Sequence, residues 1–166
     1  MVLIVDGYNV MHALPASREW PGVQFKDRRR GFLEHLGEYA AGKPHRITVI
    51  FDGTKGGEEM GGADQVGSIA VRYSPRGVEA DDLIRRMLDE STRPSDILLV
   101  TSDKSVSFYA RTRGASTARA DELIHRLFPR PAPEDEVAGE HPHKGVLPAR
   151  PAGRPRSAGK GPLALW

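Results

Sequence analysis

The sequence predicts an α/β fold, a three-layer sandwich in which helices cover both faces of a mostly parallel central sheet. Three observations predict it. Short apolar runs recur at residues 2–5, 46–51, 68–73 and 97–101, each rich in Val, Ile or Leu and bounded by Gly, Pro, Ser or Asp, as buried parallel strands are. Segments with apolar residues at helical spacing lie between them, and this β-α-β-α rhythm winds a sheet with helices on its faces. The 166 residues, 39% of them hydrophobic, suit one core of ordinary size.

Taken in order, the first run ends at Asp6. Phe25, Phe32, Leu33, Leu36, Tyr39 and Ala40 then recur near a 3.6-residue period, so an amphipathic helix is expected to end near Gly42. Its opposite side carries Lys26, Arg28, Arg29 and Arg30, which read as a solvated face before they read as a track for RNA phosphates. After the second run, residues 53–67 are glycine-rich, with few apolar side chains, and are expected to be a loop. The third run leads through Ser74-Pro75-Arg76-Gly77 into a helix from about Val78, where Leu83, Ile84, Met87 and Leu88 make an apolar stripe. Beyond the fourth run come a helix over 105–113, a weak fifth strand over 115–118, and a last helix over 120–128 closed by Pro129.

From residue 129 onward Pro, Gly, Ala and charge replace apolar periodicity. The organisation expected is therefore one domain, 1–128, and a disordered Pro/Gly-rich basic tail, 129–166. Residues 141–166 carry five basic and no acidic side chains, so the net charge of +2 conceals a net-negative remainder.

Several classes are excluded by what is missing from these residues. With no cysteine there is no disulfide framework, zinc-thiolate site or thiol nucleophile. The histidines, His12 among them, have no metal-ligand spacing, and no Gly-x-Ser-x-Gly or Ser-His-Asp pattern is evident. The N-terminal apolar run is too short for a signal sequence, and no segment approaches the roughly 20 apolar residues of a membrane span. A soluble, cytoplasmic protein is expected.

The acidic residues carry the chemistry. Asp6 follows the first strand, Asp52 the second, and Asp103 lies two residues past the fourth, while Glu79, Asp81 and Asp82 open a helix that itself follows a strand. In open parallel sheets the carboxyl ends of the strands form the ligand-binding edge, so all six are expected to converge. Taken singly, Glu79 reads as a helix-capping acid and each Asp as a turn residue. As a set they would repel one another in a cleft unless a cation neutralised them. An all-carboxylate donor set suits Mg²⁺ or Mn²⁺, which points to phosphodiester hydrolysis.

Four motifs, Asp6-Gly7-Tyr8-Asn9, Phe51-Asp52-Gly53, Gly77-Val78-Glu79-Ala80-Asp81-Asp82 and Thr101-Ser102-Asp103-Lys104, together resemble the NYN domain of YacP-like ribonucleases in the PIN-like nuclease superfamily. The resemblance covers residues 1–128 and implies a PIN/NYN-like, Rossmann-like fold and a metal-dependent endoribonuclease. It implies catalytic roles for Asp6, Asp81 and Asp103. The last two motifs also resemble the metal motifs of bacterial 5′ nucleases. That likeness places a first metal among Asp6, Asp52, Glu79 and Asp81, and a second toward Asp82 and Asp103. Ser105 stands where the 5′ nucleases usually have a further Asp, so the second site is expected to be conditional. The chain also lacks their helical arch, which favours RNA over DNA junctions.

Asn9, Arg76, Ser102 and Lys104 are candidate substrate contacts, each with an ordinary turn, capping or surface-charge role as its alternative. Tyr8 and Trp20 are candidates for stacking on unpaired bases. The expected partner is RNA, free or presented on a ribosome or other large particle. Three rival readings remain: a non-catalytic RNA- or partner-binding module, a small-molecule phosphatase, and a toxin-like PIN nuclease. The phosphatase lacks its paired Asp after strand one, where Gly7-Tyr8-Asn9 stands instead.

Overall fold

The computed structural model describes residues 1–14, 24–53 and 62–129. Its strands are β1 (Val2–Asp6), β2 (Arg46–Phe51), β3 (Gly62–Val66), β4 (Ile69–Tyr73), β5 (Ile97–Val100) and β6 (Ser116–Ala118). Its α-helices are α1 (Gly7–Ala13), α2 (Phe25–Ala40), α3 (Ala80–Asp89), α4 (Lys104–Thr112) and α5 (Ala120–Leu127). The strands form one sheet in the order β3-β4-β2-β1-β5-β6, parallel throughout except for β3. The expected mostly parallel α/β sandwich is what forms.

The central strands β1, β2 and β5 are buried on both sides, yet their pleat still sorts side chains into two cores. Leu3, Val5, Val49, Phe51, Leu98 and Val100 pack with residues of α1, α2 and α5, while Ile4, Ile50, Ile97 and Leu99 pack with residues of α3 and α4. Because β1 lies between β2 and β5, successive connections leave it in opposite directions. Their carboxyl ends therefore open a crevice beside Asp6.

Two segments depart from expectation. Residues 62–66 are the antiparallel edge strand β3, not loop; four of the five are exposed, so no apolar alternation marks them. Residues 7–13, for which no element is expected from the sequence, are helix α1, which Asp6 caps by accepting the Asn9 backbone N–H at 3.2 Å. Gly7 is required there by space, since a Cβ on it would be driven into the Phe51 ring. Arg29 also corrects its expected place: it is 8% exposed, with its guanidinium carbon 5.6 Å from the Phe51 ring centre and 5.2 Å from that of Tyr73. The expected disordered tail beyond Pro129, and Trp20, lie outside the described residues.

Candidate active site

Asp6 sits at the last position of β1, in parallel register with Ile50 of β2. Two residues on from Ile4, it projects to the α3 and α4 side of the sheet. It is only 6% exposed. Oδ2 accepts the Thr101 hydroxyl at 3.0 Å, and Oδ1 accepts the Asn9 N–H. The Thr101 hydroxyl oxygen in turn accepts the Asp103 N–H at 3.1 Å, and the Asn9 side-chain oxygen accepts the Ser102 N–H at 2.8 Å. These bonds tie the ends of β1 and β5 into one rigid corner. Ser102 extends it, its hydroxyl accepting the Ala120 N–H at 3.2 Å where α5 begins.

Asp103 caps α4, its Oδ1 accepting the Val106 N–H at 2.9 Å. On the other side of the crevice, Gly77, with φ of 79°, makes the turn that only glycine adopts freely, and the chain then enters α3. Glu79 is the residue that precedes the helix, but its side chain makes no capping bond there. Of the ordinary roles expected for Glu79, capping by a hydrogen bond is absent, while an acid at the positive end of the helix dipole stands beside the functional role. Asp52 follows β2, where the buried Ser74 hydroxyl accepts the Gly53 N–H at 3.2 Å and joins the ends of β2 and β4.

Five of the six acids expected to converge do so. Asp6, Asp52, Glu79, Asp81 and Asp103 line one open cleft of about 240 Å³ together with Tyr8, Asn9 and His12. Asp82 is the exception: one residue past Asp81 on α3, it faces away, with its side chain 57% exposed and 3.4 Å from Arg85. Arg76 and Lys104 are exposed and do not line the cleft either. Tyr8 does line it, but its ring is buried, stacked under Phe25 with ring centres 5.3 Å apart and edge-on to Phe51 at 5.2 Å. Phe25, stacked on the Tyr8 ring, keeps an exposed surface. Sequence reasoning missed Thr101 as a partner of Asp6, although a hydroxyl beside Ser102-Asp103 was the available signal.

The electrostatics of the cleft strain its acids. Burial pushes the Asp6 carboxyl above its usual range; the Asn9 and Thr101 hydrogen bonds oppose this, and the charges of Asp81 and Asp103 add to it. Asp81 is raised as well, first by burial and next by Asp103, with Arg85 pulling the other way. Among the described residues, no three His, Asp or Glu side chains are already gathered as metal ligands. The donor chemistry nonetheless fits a hard divalent cation: five carboxylate side chains line the cleft, and two of them are costly to ionise.

The profile of the YacP-like NYN domain matches residues 3–141. The chain belongs to the YacP-like NYN domain family. Across 129 residues it is 26% identical to the Bacillus subtilis (strain 168) protein named uncharacterized protein YacP, spanning 76% of this chain and 74% of that one. Two crystal structures of Rae1 (YacP) from Bacillus subtilis, one of them of a mutant, share the fold with a TM-score of 0.61. The mutant is 23% identical and the other structure 24%; each match covers 76% of this chain and 74% or 73% of the Rae1 chain. Membership in the NYN family points to a nuclease-like, RNA-related role. No helix among the described residues is long and apolar enough to cross a membrane.

Proposed function

We propose that this YacP-like NYN domain is an endoribonuclease that hydrolyses RNA phosphodiester bonds in the cytoplasm with the help of Mg²⁺ or Mn²⁺. The observation that carries the proposal is the convergence of five carboxylates from four chain segments on one cleft at the carboxyl edge of the sheet. Asp6, Asp52, Glu79, Asp81 and Asp103 would hold the cation. When bound, it supplies positive charge against the phosphodiester and lowers the pKa of attacking water.

The protein's own contribution is positioning. The Thr101 hydroxyl and the Asn9 N–H each engage one oxygen of Asp6, which fixes the carboxylate while leaving lone pairs for the cleft. Asp103 is fixed in the same way by the Val106 N–H. Phe25 offers an aromatic face beside the cleft on which an unpaired base can stack. Next to it a second hollow of about 470 Å³ mixes Lys26, Arg29 and Arg30 with Asp27, Glu34 and Asp64, and Arg30 is paired with Glu34 at 3.0 Å.

The test is cleavage of a labelled single-stranded RNA by the purified chain with Mn²⁺ or Mg²⁺, beside the same reaction in EDTA and a phosphomonoester assay. Cleavage that EDTA stops, with no phosphomonoester turnover, supports the proposal. RNA binding without cleavage under either metal would overturn it in favour of a non-catalytic module.

A further inference from the structure

The outer edge of the acidic cleft is occupied by an arginine. Arg85, on α3, places Nη1 3.4 Å from Asp82 Oδ1 and donates from Nη2 to the Ser105 hydroxyl at 3.3 Å. Asp82 lies one turn earlier on the same helix, but Ser105 belongs to α4. One guanidinium therefore bridges two helices. The Tyr109 ring, also on α4, lies 5.8 Å from the Arg85 guanidinium carbon, and the side chain is 31% exposed. A planar fork with several donors can hold an acid and a hydroxyl together in this way, whereas an ammonium would contact them as a point charge.

Positions 82, 103 and 105 are those whose resemblance to 5′ nucleases suggested a second cation. Here they do not fit one. The Asp82 carboxylate is paired with Arg85, position 105 is a neutral hydroxyl that already accepts a hydrogen bond, and Oδ1 of Asp103 is committed to the Val106 N–H. Asp103 itself lines the inner cleft with Asp6 and Asp81. A second dication would have to settle beside a fixed positive charge with few free anionic donors.

We infer that Arg85 is a resident cation in place of a second metal, so that the site takes a single divalent ion. The inference rests on the reading of the inner cleft as a divalent-cation site. Arg85 acts here as a positioning residue: it holds Asp82 and Ser105, ties α3 to α4, and lends positive charge to Asp81 from the outer side.

The experiment is a Mn²⁺ titration of the full chain followed by the loss of free-Mn²⁺ electron paramagnetic resonance signal, which counts bound ions without reference to activity. The wild type should bind one Mn²⁺, with any further ion at least about tenfold weaker. Arg85→Lys, which keeps the charge, should also bind one. The pair Arg85→Ala with Ser105→Asp, which removes the resident charge and adds an acid, should gain a second ion of affinity within about tenfold of the first. Circular dichroism of each variant verifies the fold. Two ions of similar affinity in the wild type, or none gained by the double variant, would overturn the inference and leave the reading of the inner cleft as a divalent-cation site intact. No Mn²⁺ bound by the wild type would remove that reading, and this inference with it.

Discussion

The inner and outer acids of this site are one residue apart in sequence at Asp81 and Asp82, yet their surroundings differ sharply. Asp6 and Asp103 are held by backbone amides and the Thr101 hydroxyl at the joined ends of β1 and β5, and burial makes Asp6 costly to ionise. Asp82 is exposed and meets a cation of its own helix. The difference is one of geometry: a helix turns about 100° per residue, so adjacent acids face different surroundings. Function is to be expected at the acids that line the cleft, Asp81 among them, and surface pairing at Asp82, which does not.

The largest effect that separates the two regions is on cleavage. Asp6→Asn and Asp81→Asn should each lower the rate of RNA cleavage by on the order of 10²–10³-fold, while Asp82→Asn changes it by less than about tenfold, in a single-turnover assay. Equal losses at 81 and 82 would erase the distinction between inner and outer acids.

Stability comes next. Phe51→Ala removes a fully buried ring that Gly7, Tyr8 and Arg29 all meet, and should cost about 3–5 kcal/mol in urea unfolding. Thr101→Val leaves the Asp6 carboxylate and the Asp103 N–H without their shared hydroxyl, at a cost of about 1–3 kcal/mol. Loss of the Arg85–Asp82 pair by Asp82→Asn should cost less than about 1 kcal/mol, as exposed pairs do.

The pH dependence sharpens the comparison further. In the folded chain the Asp6 and Asp81 carboxyls are raised above the ordinary value of 3.8. The unfolded chain therefore gives up these protons at lower pH than the folded one. Their contribution to stability is fully present below pH 3.8 and is lost as pH rises through the raised folded values. In EDTA, thermal melts should show Asp6→Asn gaining on the wild type as pH rises from 4 to 7 (about the range over which such acids ionise). Mg²⁺ should stabilise the wild type at neutral pH and lose that effect in acid.

Much of this was legible in the residues. β1, β2 and β5 are near-continuous apolar runs, which read as buried parallel strands because both their faces are covered, and β4 keeps Ile69, Val71 and Tyr73 buried beside an exposed Arg72. Asp6, Asp52 and Asp103 stand at or just beyond strand ends, so their convergence followed from topology. Gly62–Val66 was illegible because an exposed edge strand needs only backbone pairing to β4, and Gly-Ala-Asp-Gln carries no apolar pattern. Helix α1 was hidden by a glycine that the Phe51 ring demands rather than helix propensity. Arg29 lay within a basic run that reads as surface, and only the fold brings Phe51 and Tyr73 to it. The Thr101–Asp6 bond spans 95 positions, which no local pattern encodes. Arg85 was half visible: its i,i+3 spacing from Asp82 is a helical pairing signal, but its reach to Ser105 is tertiary.

The central claim is that the carboxylates of the inner cleft act together on RNA through a divalent cation. The most direct measurement is Mn²⁺-dependent cleavage of a labelled single-stranded RNA by the wild type and Asp81→Asn, each matched to its Mn²⁺ affinity. Cleavage by the wild type alone, with weakened Mn²⁺ binding in the variant, is the result expected. Undiminished cleavage by Asp81→Asn, or cleavage by the wild type that persists in EDTA, would contradict it.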